Sequence, residues 1–200
     1  MFITIEGIEG VGKTTQIRLL EEYLKAKQTP FISTREPGGT QVCEKIRNIL
    51  LNDEMASLTE LLLYEAARAE HFETVIEPAL KNKRTVICDR FADASIAYQG
   101  YGRGLDINLI DTLNKIATKG VKPDLTIVLD MDLDNAAERL RQRGSTPDRF
   151  EKLDKKFYEK VRKGYLDLAK NEPNRVKIVS AMQSIQKMHE DVISHIKIPG

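Results

Sequence analysis

A short apolar run, Phe2-Ile3-Thr4-Ile5-Glu6, leads directly into Gly7-Ile8-Glu9-Gly10-Val11-Gly12-Lys13-Thr14. The spacing G-x-x-x-x-G-K-T is that of a phosphate-binding P-loop, which requires a strand before it and a helix after it. One motif therefore prescribes a β-loop-α unit and a phosphorylated ligand together. Gly7, Gly10 and Gly12 allow the tight turn that aims backbone N–H groups, including those of Val11, Lys13, Thr14 and Thr15, at phosphate oxygens. Lys13 adds a point charge for the β- and γ-phosphates, and the Thr14 hydroxyl is a ligand for Mg²⁺. The helix that follows, over 13–27, turns its positive N-terminal end to the anion. By itself the motif does not separate a kinase from a GTPase, an ATPase or a helicase piece.

The rest of the chain alternates apolar runs with helical patterns. Strands are predicted at 2–6, 30–34, 85–89, 125–130 and 175–179, and helices near 13–27, 40–51, 57–81, 92–99, 106–119, 133–142, 150–170 and 184–196. The runs Thr85-Val86-Ile87-Cys88 and Leu125-Thr126-Ile127-Val128-Leu129 are almost continuously apolar or β-branched, as in parallel strands covered on both faces. The expectation is a three-layer α/β fold with a five-stranded parallel sheet flanked by helices, in a single domain over 1–200. Ligands of such sheets lie beyond the carboxyl ends of the strands. The polar break Arg143-Gly144-Ser145-Thr146-Pro147-Asp148-Arg149, flanked by arginines, is predicted to be a lid at about 141–150.

Composition narrows the partners. Net charge is +1 with 30% charged residues, and no long basic tract makes an electrostatic case for nucleic acid or a membrane surface. No apolar stretch is long enough for a signal peptide or a membrane span. Cys43 and Cys88 have no second ligand at zinc spacing and read as reduced thiols of a cytoplasmic protein.

Three further segments carry chemistry. Thr34-Arg35-Glu36-Pro37-Gly38-Gly39 follows the second strand, Tyr64-Glu65-Ala66-Ala67-Arg68 lies on the long helix, and Asp89-Arg90-Phe91-Ala92-Asp93-Ala94-Ser95-Ile96-Ala97-Tyr98-Gln99-Gly100 follows the third strand. With the P-loop, these resemble the thymidylate kinases, and the resemblance runs from residue 2 to about 180. It implies a P-loop nucleoside monophosphate kinase fold, ATP and dTMP as substrates, Mg²⁺ as cofactor, and transfer of the ATP γ-phosphoryl to give dTDP and ADP. Arg35 and Arg90 would grip the monophosphate, because guanidinium forks match phosphate oxygens. Asp89 would assist transfer, position Mg²⁺ with Thr14, or orient Arg90. Tyr64 would stack on thymine, and Arg68, which has only donors, would reach thymine O4 and reject cytosine. Ser95 and Gln99 would meet thymine N3–H. Glu9 would meet the sugar 3′-hydroxyl, Tyr98 would crowd the 2′ position, and Arg47 and Leu51 would border the base.

One departure sorts the subgroup. Where some relatives place an arginine in the P-loop, this chain has Gly10. The charge that develops on the transferring phosphoryl group must still be stabilised; the resemblance to the subgroup lacking that arginine implies one supplied from the lid, with Arg143 the first candidate and Arg149 the second. Arg141 reads instead as a salt-bridging helix residue.

Two other readings stand beside this one. A kinase for another nucleotide, or for a deoxynucleoside, would share the fold; Arg68 and Gln99 favour a thymine- or uracil-like base. A GTP-dependent switch protein needs an N-K-x-D guanine motif, and the nearest string, Asn114-Lys115-Ile116-Ala117, lacks the aspartate. The predicted helix 57–81 carries Leu58, Leu61, Leu62, Leu63, Phe72, Val75 and Ile76 over more than one face. Such a helix has apolar surface to spare for a partner, and the resemblance implies a homodimer through this region.

Overall fold

A computed structural model describes residues 1–144, 149–151 and 153–197, except for the side chain of Arg143. The five apolar runs form five strands: β1 (Phe2–Glu6), β2 (Phe31–Arg35), β3 (Thr85–Asp89), β4 (Leu125–Asp130) and β5 (Val176–Ser180). All pair in parallel, in the order β2-β3-β1-β4-β5. Ile5 lies opposite Asp89, and Asp89 opposite Arg35, so the carboxyl ends of β1, β2 and β3 finish level along one edge. The two strands predicted at 30–34 and 175–179 each begin one residue later.

Period-two alternation divides β1 between the two layers. Thr4 and Glu6 meet side chains of one layer: Thr4 bonds Thr126 at 2.8 Å, and Glu6 accepts from Tyr165 at 2.7 Å. Ile3 and Ile5 point the other way and join a core with Leu20 and Leu24 of α1 (Lys13–Ala26). Helix α1 packs on β1, β2 and β3, and on α9 (Ile185–Ser194). The opposite layer holds α3 (Ser57–His71), α4 (Glu77–Lys81), α5 (Ala92–Ser95) and α8 (Lys155–Asn171). Phe2, Phe72, Ile76, Val86 and Phe91 form a second buried cluster there.

The long helix predicted at 57–81 is continuous but not uniform: α3 passes through a π-helical stretch, Phe72–Ile76, into α4. The helix predicted at 92–99 likewise starts as α5 and becomes π-helical over Ile96–Gly102. Such widened turns recur at functional sites, and this one carries Tyr98 and Gln99. Helices α2 (Gln41–Asn52), α6 (Ile107–Ala117), α7 (Leu133–Arg143), α8 and α9 begin at side-chain caps from Thr40, Asp106, Asp132, Asp154 and Ser184. The cap explains why α8 does not start at 150 as predicted. Asp154 accepts the N–H of Phe157 at 2.8 Å and sets the helix start there, leaving 149–151 outside the helix.

A largely buried ion pair ties helix α5 to the start of β5. Arg175, just before β5, grips Asp93 of α5 through Nη1 and Nη2 at 2.7 and 2.9 Å, while Thr126 donates to the same carboxylate at 2.8 Å. Asp93 is buried, so removing its cation leaves a desolvated charge. Arg175→Met is expected to destabilise the protein by about 3 kcal/mol in urea unfolding. A change of a few tenths would assign the pair no stabilising role.

Candidate active site

The level carboxyl ends of β1, β2 and β3 open into a cleft of about 450 Å³. The P-loop forms its floor. Gly7 and Gly10 have φ of +129° and +82°, and a Cβ on either would come within 2.4 Å of the Leu129 carbonyl oxygen or 2.6 Å of that of Ala136. The loop is therefore pressed against β4 and α7 in a way only glycine permits. Lys13 donates to the carbonyls of Gly7 and Ile8 at 3.1 and 3.0 Å. Burial, and next the charge of Arg90, push its ammonium down to about 8. Thr14 is exposed in the cleft, Thr15 lines it too, and Val11 is buried beneath the loop.

Arg90 stands at the centre. It follows β3 in a left-handed conformation, φ +66°, with its N–H held by Ile5 O at 3.1 Å. Nη2 donates to Glu9 at 2.7 Å, Nη1 to the Tyr165 hydroxyl at 3.2 Å, and the guanidinium lies 4.8 Å from the Tyr98 ring centre. The Tyr98 hydroxyl donates to both oxygens of Glu9. Burial would raise Glu9, but Arg90, Lys13 and Tyr98 outweigh it and hold the carboxyl below its ordinary value. Behind this group Glu6 accepts from Phe91 N and Tyr165, both at 2.7 Å. Burial pushes its carboxyl up to about 8, against the pull of Arg90.

Asp89 reaches the cleft with Oδ1 buried and without a hydrogen-bond partner among the described residues. An orphaned carboxylate oxygen and an open threonine hydroxyl fit Mg²⁺, which binds with one or two protein oxygens when phosphates supply the rest. Among the described residues there is no cluster of three or more acidic, histidine or cysteine ligands.

The far wall comes from α2, α3 and the α5 segment. Arg35 is exposed and pairs with Glu44 at 2.7 Å. Arg47 donates to Pro37 O at 2.9 Å, and Leu51 and Tyr64 line the cleft, with Tyr64 edge-on to Phe150. Arg68 is only 1% exposed. Nε donates to Glu36 at 2.9 Å, Nη1 to Glu65, Ser95 and Asn114 at 2.5, 3.0 and 2.8 Å, and Nη2 to Phe91 O at 3.2 Å. Among the described residues the second N–H of Nη2 has no acceptor. Gln99 is buried and lines the same cleft, its Nε2 donating to Glu60 at 2.9 Å.

The lid candidates fall differently. The side chain of Arg143, which ends α7, and residues 145–148 lie outside the described residues. Arg149 does not line the cleft; it is buried 2.8 Å from Glu60, with Nε donating to Leu50 O. Glu60 is a buried anion that holds it there, so in this conformation Arg149 stands away from the phosphate floor. Arg141 pairs with Glu138 at 2.5 Å, as its helical spacing predicts.

Arg139, from the basic cluster 139–143 that sequence reasoning offered to a small anionic ligand, lines the cleft. Several cleft-side residues were given no role by sequence reasoning: Glu36 and Phe150 line the cleft, and Glu6 and Glu60 brace it from behind. A signal existed for two of them: Glu6 ends an apolar strand, and Glu60 interrupts the apolar face of α3. Asn114, the start of the nearest guanine-like string, is spent on Arg68 inside the protein.

Comparison with known proteins identifies the family. A family model described as Thymidylate kinase matches residues 5–192. The chain is 49% identical over 195 residues to a thymidylate kinase of Pelotomaculum thermopropionicum, covering 96% of this chain and 90% of that one. It is 48% identical to that of Kosmotoga olearia, with 96% and 93% covered. The crystal structure of thymidylate kinase from Ehrlichia chaffeensis superposes with a TM-score of 0.81 at 42% identity, over 97% of both chains. By sequence and by fold, this chain belongs to the thymidylate kinase family.

Proposed function

We propose that the cleft transfers the γ-phosphoryl of ATP to dTMP, giving dTDP and ADP. The observation that carries this reading is the meeting, in one cleft, of a phosphate floor with a wall bearing Tyr64, Arg68 and Gln99. The P-loop of Gly7, Gly10, Val11 and Gly12, with Lys13, Thr14 and Thr15, takes the ATP phosphates. Arg35 and Arg90 take the dTMP phosphate, exchanging Glu44 and Glu9 for phosphate oxygens. The Arg35 pair is exposed and so costs little to release. Tyr64 stacks on the base, the spare N–H of Arg68 reaches O4, and Gln99, beside Ser95, accepts N3–H. Glu9 and Tyr98 border the sugar, and Arg47 and Leu51 the base. Thr14 and Asp89 would hold Mg²⁺, which would supply charge neutralisation at the ATP phosphates.

Catalysis here is chiefly positioning and charge neutralisation. Lys13 and Arg90 supply two cations on the floor, and Arg143 or Arg149 a third from the lid. Arg149 would have to exchange Glu60 for phosphate to do so. The exposed Leu58 and Leu62 of α3, beside Val42 and Ile49 of α2, form an apolar face suited to a homodimer. Among the described residues no helix is long and apolar enough to cross a membrane, and both cysteines are buried free thiols, in keeping with a cytoplasmic enzyme.

The reaction is tested by coupled ADP release with ATP and Mg²⁺ against dTMP, dUMP, dCMP, dGMP, AMP and thymidine. Turnover with dTMP well above the others is expected; preference for another acceptor would overturn the base assignment, and no acceptor-dependent turnover would overturn the reaction. Arg143→Ala is expected to lower kcat by about a hundredfold or more with little change in ATP affinity. Equal loss of both would remove it from the transition state. Because burial and the charge of Arg90 lower the Lys13 ammonium to about 8 and a bound polyphosphate favours its charged form, ATP binding should take up protons. Calorimetry in buffers of different ionisation enthalpy should find larger uptake at pH 8 than at pH 6.5, and Lys13→Arg should abolish it. Uptake that does not grow with pH would show Lys13 to be fully charged already.

A further inference from the structure

Glu60 is completely buried on α3, yet it touches neither the P-loop nor the arginines of the floor. Its Oε1 accepts from Gln99 Nε2 at 2.9 Å and from Arg103 Nε at 3.2 Å. Its Oε2 accepts from Arg103 Nη2 at 2.9 Å and lies 2.8 Å from Arg149 Nη2. Burial alone would raise this carboxyl; hydrogen bonds from Arg103 and Gln99, with the charges of Arg103 and Arg149, hold it low and ionised.

An ionised carboxylate only accepts hydrogen bonds, whereas a primary amide has one donating and one accepting end. Whatever lies against Glu60 must therefore be the amide nitrogen of Gln99. The amide oxygen is turned the other way, and among the described residues no hydrogen bond reaches it. Gln99 itself lines the cleft. Without the carboxylate, the two amide orientations are chemically near-equivalent, and Gln99 could offer a base either a donor or an acceptor.

We propose that Glu60 is a positioning residue for base selection: by fixing Gln99 Nε2 it presents the Gln99 carbonyl oxygen to the pyrimidine. A base carrying N3–H is then accepted, and one with a lone pair at N3, as in cytosine, is refused. Sites that hydrogen-bond a polar group discriminate strongly, since a mismatched ligand leaves buried groups unpaired. The inference rests on the reading of this wall as the dTMP site. Arg103 and Arg149 keep the carboxylate ionised and fix its plane; Glu60 touches no substrate.

The test measures kcat/KM for dTMP and dCMP, with KM for ATP, in the wild type, Gln99→Leu, Glu60→Gln and the exchange Glu60→Gln/Gln99→Glu. Glu60→Gln is expected to narrow the preference for dTMP over dCMP by about tenfold or more, leaving KM for ATP near its wild-type value. The exchange reverses the hydrogen bond, keeps the net charge, and again turns an acceptor to the base; it should recover part of the lost preference, which a counter-ion role alone would not. If Gln99→Leu loses the preference while Glu60→Gln keeps it, the positioning role is overturned and the dTMP site stands. If the wild type shows no preference, or Gln99→Leu retains it, the site reading fails and takes this proposal with it. Should Glu60→Gln not fold, Glu60→Asp keeps the charge but withdraws it from Gln99 by one methylene; it should lose the preference too, and retention would overturn the proposal.

Discussion

The site depends on charge compensation at the carboxyl edge of a parallel sheet. That edge gathers cations for an anionic ligand, and in the free protein each needs a counter-charge or stays desolvated and unpaired. Glu9 serves Arg90, Glu44 serves Arg35, Glu36 and Glu65 serve Arg68, and Glu60 serves Arg103 and Arg149. The pairs differ in depth. Arg35 and Glu44 are half exposed, whereas Arg68 and its carboxylates are almost wholly buried. The exposed pair is weakly held, while Arg68 is fixed in a single geometry by its buried carboxylates.

The P-loop provides the second constraint. Its glycines let the loop sit against the backbones of β4 and α7, which brings Lys13 and Thr14 to the edge where β3 delivers Asp89 and Arg90. Register does the rest: Ile5 opposite Asp89, and Asp89 opposite Arg35, place residues far apart in sequence side by side. The π-helical stretch 96–102 then carries Tyr98 towards Glu9 and Gln99 towards Glu60.

Much of this was legible in the chain because the signals are local. The P-loop spacing, the continuous apolar strands and the polar caps each act within a few residues, so strand positions are right to within one residue. The α8 start was misplaced because Asp154 outcompetes the helical pattern before it. The grouping of Arg35, Tyr64, Arg68, Arg90 and Gln99 rested on family resemblance, since no local rule brings four separate elements to one cleft. The buried carboxylates Glu6, Glu36 and Glu60 were given no role because position in an apolar strand or helix hints at burial for Glu6 and Glu60 but does not say which cation or amide a glutamate will meet.

By itself, then, the sequence determined a strand-loop-helix P-loop unit and an alternating α/β chain, because hydrophobic period and glycine spacing are properties of contiguous residues. Only the tertiary structure decided which carboxylate neutralises which arginine, that Arg149 rests on Glu60 away from the phosphate floor, and which way Gln99 presents its amide. Those outcomes depend on distances between residues tens of positions apart, and charge and hydrogen-bond direction act only once the fold has set them.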